Sequence, residues 1–157
     1  MADTSLSEKK IGLLVWQLSN YWQSKLRKIL KDYNLTLNEY LILESISNLL
    51  ENQKELSQNE ISIFAGIDIS VASVTFKLLE NKKLIVRMTK NDNRKKIVDM
   101  LASGINLYNK VKPFILKEEL NIFNKLHSEI YNFKNLIKLL LGKSVRIKAK
   151  KIYEQNQ

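Results

Sequence analysis

Cysteine is absent from this 157-residue chain. Its absence removes disulfides, thiolate nucleophiles and Cys-based metal sites. Histidine occurs once, as His127, so a multi-His metal centre is excluded too. No metal and no cofactor is expected. One proline and four glycines interrupt the chain. So few breakers favour long helices over a many-stranded sheet. Arginine is scarce: Arg27, Arg87, Arg94 and Arg146 are the only four among 26 basic residues. The opening "MADTSLSEKK" has no basic stretch leading into an apolar one, and the "IGLLV" that follows is far too short to span a bilayer. A soluble, cytoplasmic protein with no membrane partner is expected.

Hydrophobic residues make up 45% of the chain, enough to build a core. The net charge of +10 is concentrated. Residues 77–96 hold eight Lys and Arg against two acids, and residues 143–151 hold five against none. A near-neutral body with two basic patches points to a polyanionic partner.

Apolar residues recur at helical spacing over residues 6–33: Ile11, Leu14, Val15, Leu18, Trp22, Leu26, Ile29 and Tyr33. Such a helix would be roughly 40 Å long. That exceeds what one small core needs, so part of the stripe is expected to meet another subunit. In "LTLNEY" Thr36 caps a second helix, Glu39 returns the bond, and Leu35 and Tyr40 form the staple. "LSQNEI" repeats the device with Ser57, Glu60, Leu56 and Ile61. Gly66 suits the exit of this third helix, and Asp68 caps a fourth that runs to about Lys82. Leu84–Thr89 and Lys96–Met100 read as strands around a polar turn. Ser103 to about Leu126 is helical, with a kink expected at Pro113. A last helix covers Ser128 to Leu141 and ends at Gly142.

Three helices followed by a hairpin make a mainly α protein with a small β-hairpin wing, a winged helix-turn-helix flanked by N- and C-terminal helices. Ile61, Phe64, Ile67, Ala72, Phe76 and Leu79 are expected to hold the helix pair together. The fourth helix then turns Ser70, Val71, Ser73, Val74 and Lys77 outward, toward the major groove of double-stranded DNA. The two valines suit thymine methyl groups, and nothing on this face offers guanine the bidentate grip that Arg gives. Packing of the two valines into the protein is the competing expectation.

From Asp92 the chain reads D-x-R-x-K-x-V-x-M-L-x-x-G, through Arg94, Lys96, Val98, Met100, Leu101 and Gly104. This resembles the wing signature of the MarR family of transcriptional regulators. "LIVR" at Leu84–Arg87 and "YNLTLNEYLIL" are similar to that family's adjoining segments. The resemblance covers roughly residues 10–141. It implies a homodimer built by residues 1–34 and 102–142, a DNA-binding domain over 35–101, and a basic tail over 143–157. It also implies a sequence-specific regulator, a repressor in the usual case, released by a small aromatic or anionic ligand. Arg94 would enter the minor groove with Asp92 orienting it, and Lys95 would meet phosphate. Ser57 and Lys90 complete the expected DNA-binding set. Trp16, Trp22 and Tyr40 fall where the family's effector pocket lies, although aromatics at helical spacing also serve as core or dimer contacts.

Three positions depart from the family pattern. Leu101 replaces a threonine, so Asp99 or Ser103 is expected to cap the fifth helix. Val74 stands at a position where many members carry a polar or arginine reader. Lys83 replaces the glycine that ends the recognition helix. The tail "KSVRIKAKKIYEQNQ" is open to two readings, a phosphate-binding arm or an extension packed on a partner. A ligand-insensitive architectural DNA binder and a protein-interaction module also stay open as functions; an enzyme is not expected.

Overall fold

The computed structural model describes residues 8–90 and 95–143. The chain divides into two compact units, residues 1–119 and 120–157. Helix α1 spans Ile11–Leu30 and runs into a 3-10 turn, Lys31–Tyr33. Helices α2 (Leu37–Leu50), α3 (Gln58–Ala65) and α4 (Ile69–Asn81) follow. Strands β1 (Ile85–Lys90) and β2 (Lys95–Met100) pair antiparallel, in register from Ile85 opposite Met100 to Lys90 opposite Lys95. Helix α5 covers Ala102–Phe123, and a 3-10 segment, Asn124–Glu129, leads to α6, Ile130–Leu140. The expected fold class is the one observed. The α1 helix is shorter than the residue 6–33 expectation, and residues 6 and 7 of that span lie outside the described residues. No single helix among the described residues is long and apolar enough to cross a membrane.

The helix ends share one piece of local chemistry. At Asn34, Gly66, Lys83 and Gly142 the backbone turns left-handed, with φ of 52, 69, 57 and 66°. In each case the next amide reaches back to a carbonyl five residues earlier: Leu35 to Leu30, Ile67 to Ser62, Leu84 to Leu79 and Lys143 to Lys138. This is the Schellman closure, which satisfies carbonyls the helix leaves open. Glycine supplies it twice at no steric cost. Lysine at position 83 adopts the same φ in spite of its Cβ, so the closure forms without the glycine.

The N-terminal caps hold with one difference. Ser57 and Glu60 form the complete reciprocal box. Thr36 accepts from the Glu39 amide, but the Glu39 carboxylate does not return the bond. It turns instead to Lys82, at the end of α4, 2.7 Å away. Both staples are buried: Leu35 with Tyr40, and Leu56 with Ile61.

The core of the first unit joins Leu26 and Leu30 of α1, Ile42 and Ile46 of α2, Phe76 and Leu79 of α4, Val98 of β2 and Val111 of α5. Phe64 does not belong to it. It is 49% exposed, because the short α3 turns Ile61 and Ser62 inward and leaves Phe64 on the outer side. Val98 is buried and Met100 packs against the core, so the wing is rooted as expected. The wing is also tied to α3. Ser57 bridges Ile97, and the Val98 amide donates to the Leu56 carbonyl at 2.9 Å.

Gly104 is buried at the start of α5, and a Cβ there would lie 2.2 Å from the Leu84 carbonyl oxygen. The same carbonyl accepts the Leu101 amide at 3.0 Å. Ser103 does not cap α5; its hydroxyl donates to the Lys83 carbonyl, stitching α5 to the end of α4. The helix continues through Pro113, on an exposed face where the Asn109 carbonyl can meet water. In the second unit the interruption falls at His127, whose φ is 49° and ψ −122°. There Phe123 and Phe133 pack with ring centroids 6.3 Å apart. The tail from Ser144 lies outside the described residues.

Candidate nucleic-acid interface

Helix α4 is held at both ends. Asp68 accepts from the Ser70 amide at 2.9 Å and from the Ser70 hydroxyl. These bonds, with the Ser70 hydroxyl foremost, hold the Asp68 carboxyl below its usual range. Ala72, Phe76 and Leu79 anchor the inner face. Ser70, Val71, Ser73, Val74 and Lys77 all face outward and are exposed. Val71 is 45% and Val74 61% exposed, so the valines do not pack into this chain. Ser70 is committed to the cap, while Ser73 makes no hydrogen bond to the described residues.

Ser57 sits at the cap where its sequence position placed it. It is buried, and its hydroxyl donates to Glu60 at 2.6 Å while accepting from the Glu60 amide. It contributes the start of α3 rather than an open hydroxyl. Beside it lies a cleft of about 410 Å³ lined by Ser57, Gln58, Asn59, Lys95 and Lys96. Two cations facing the first turn of a helix suit a phosphate group. Sequence reasoning missed Gln58 and Asn59 as lining residues, although polar residues just inside a capping box carried that signal.

The wing carries the remaining charge. Lys95 and Lys96 are exposed at the start of β2. Lys90 stands opposite Lys95 and pairs with Glu55. Arg87 is not part of the outer set. Its guanidinium donates twice to Glu80, at 2.6 and 3.2 Å, and once to Gln58, tying β1 to α4 and α3. Hydrogen bonding to Arg87 holds the Glu80 carboxyl below its ordinary value. Asp92 and Arg94, the two residues on which the wing expectation rested, lie outside the described residues.

Of the aromatic trio, Trp22 meets Glu119, Tyr40 is buried in the core, and Trp16 is 64% exposed. Trp22 Nε1 donates to Glu119 at 3.3 Å. Tyr40 is 1% exposed, packs on Tyr108 with ring centroids 5.8 Å apart, and its hydroxyl has no hydrogen-bond partner. Burial, then Glu44, Tyr108 and Glu119, push its pKa up. Burial also raises Glu44 and Glu119, and the charge of Glu119 raises Glu44 further.

No family model matches the sequence. An uncharacterized HTH-type transcriptional regulator of Bacillus subtilis, YdcH, is 27% identical over 108 residues, 68% of this chain and 73% of the relative. The crystal structure of Staphylococcus aureus MepR with DNA superposes with a TM-score of 0.76 at 25% identity, over 86% of this chain and 99% of that one. The chain is a MarR-like, DNA-binding transcriptional regulator. A second structure concerns regulation of DNA binding of Bordetella bronchiseptica BpsR by 6-hydroxynicotinic acid. It matches with a TM-score of 0.75 at 19% identity, over 85% of this chain and 99% of that one. In this MarR-like frame the hairpin is the wing.

Proposed function

We propose that this regulator is a cytoplasmic homodimeric repressor that grips DNA with the outer face of α4 and the basic wing. The observation that carries the proposal is the α4 face itself. Five positions on one side of the helix, Ser70, Val71, Ser73, Val74 and Lys77, are uncovered while Ala72, Phe76 and Leu79 are sealed in the core. The wing's Lys90, Lys95 and Arg94, with Asp92 aiming the arginine, would add phosphate and minor-groove contacts. Residues 35–101 would form the DNA-binding part, and 1–34 with 102–142 the dimerisation part. Support for dimerisation comes from α1, where Ile11, Leu13, Val15, Trp16 and Leu18 are all exposed. An apolar strip of that length is unusual on a monomer and suits a second copy of the chain.

A small aromatic ligand would release the DNA, with Trp22 and Tyr40 as its walls. The half-buried carboxyl groups of Glu44 and Glu119 disfavour an anion there and suit a neutral or cationic aromatic.

Electrophoretic shift of the DNA upstream of the protein's own gene, across a salt series, tests the main proposal. Binding should weaken steeply with salt. Arg94→Ala should lower affinity and reduce the salt slope by about one. Unchanged affinity in Arg94→Ala would refute the wing assignment. Sedimentation should give a dimer.

A further inference from the structure

We infer that this protein reads its operator through the 5-methyl groups of thymine, contacted by Val71 and Val74. The inference rests on α4 facing the bases, as proposed above.

The outward face offers few other readers. Between Ile69 and Leu78 it carries no Arg, Asn, Gln, Asp or Glu, so nothing there grips adenine, and Lys77 alone could reach guanine. The hydroxyls are fewer than the sequence suggests. That of Ser70 is given to Asp68, and that of Thr75 is buried and donates to the Val71 carbonyl at 2.9 Å. Ser73 remains as the one uncommitted hydroxyl among the described residues of α4's first two turns.

Against this, Val71 and Val74 leave about half their surface uncovered on the face they share with Lys77. Residues three apart on a helix have Cβ atoms about 5–6 Å apart. Stacked bases on one strand are about 3.4 Å apart, so both valines can reach methyls one or two steps from each other. At the helix N-terminus the Asp68 carboxylate already accepts from the Ser70 amide, and its charge opposes a phosphate there. Side contact through the valines, with Lys77 toward the backbone, is the arrangement that remains.

Selection from a random duplex library would provide a bound sequence, and the same duplex with uracil in place of each thymine would test the methyls. Removing one buried methyl should weaken binding about four-fold. Val74→Thr, nearly isosteric and on an exposed site, should shrink the thymine-over-uracil ratio toward one. A purely structural effect would weaken both duplexes alike and leave the ratio unchanged, which would overturn the inference. Equal binding of the uracil duplex by the unaltered protein, or a G·C core at the positions facing α4, would overturn it as well. Failure to bind any duplex at low salt would remove the DNA-facing role of α4 and the methyl reading together.

Discussion

Lys82 Nζ lies 2.7 Å from the carboxylate of Glu39, which is only 1% exposed. The same ammonium donates to the Asn34 carbonyl at 2.6 Å. One cation thus joins the end of α4 to the turn between α1 and α2. Removing it leaves a buried carboxylate without its partner. Lys82→Met should cost about 3 kcal/mol. Glu39→Gln should cost less, since the amide oxygen still accepts from Lys82. Urea denaturation with both variants checks the order, and an unchanged midpoint in Lys82→Met would refute it.

Gly104→Ala runs against ordinary helix propensity, which favours alanine by about 1 kcal/mol. The added Cβ would meet the Leu84 backbone oxygen at 2.2 Å, and backbone cannot swing aside as a side-chain tip can. We expect a net loss of about 2–3 kcal/mol, read as a lower Tm. A stabilised variant would mean that α5 does not press on Leu84 as closely as described.

Lys83→Gly should do the reverse. Lys83 holds φ of 57° within an otherwise complete Schellman closure. Glycine removes the Cβ conflict and should raise stability by about 1 kcal/mol. Equilibrium unfolding measures it. The same change at exposed Asn81, inside α4, should be destabilising and serves as the control.

Glu44 sets a pH dependence. Burial, reinforced by Glu119 and opposed by Lys112, raises its pKa above the ordinary 4.5. A raised carboxyl holds its proton more tightly in the folded state. Its contribution is therefore fully present below pH 4.5 and is lost as pH rises through the folded value. Glu44→Gln should be more stable than the parent at pH 7 and nearly equal at pH 4. Denaturant midpoints at the two pH values decide this. Glu80 has the opposite sign: its lowered pKa gives stability above the ordinary value that is lost on acidification.

Much of this was legible in the sequence because the signals were local. The capping pair Ser57 and Glu60, the exit at Gly66 and the cap at Asp68 each act within a few residues, and each appears where expected. The outward face of α4 followed from helical period and was found intact. What escaped depends on distant neighbours. Glu39 left its local box because Lys82, 43 residues on, offered a better partner. Phe64 looked like core by type, but an eight-residue helix has too little inner face to bury it. Ser103 found the Lys83 carbonyl instead of its own helix. Gln58 and Asn59 gained a place beside Lys95 and Lys96 only because the hairpin folds back onto α3.

The bridge between Ser57 and Ile97 has a mechanical consequence. The residue that starts α3 is also a rung of the sheet, so the helix-turn-helix and the root of the wing behave as one gauge of set width. A duplex whose grooves are spaced differently cannot be met by sliding one half against the other. It must itself bend or twist to fit, and the stiffness of a base sequence then becomes something this protein can measure without touching it.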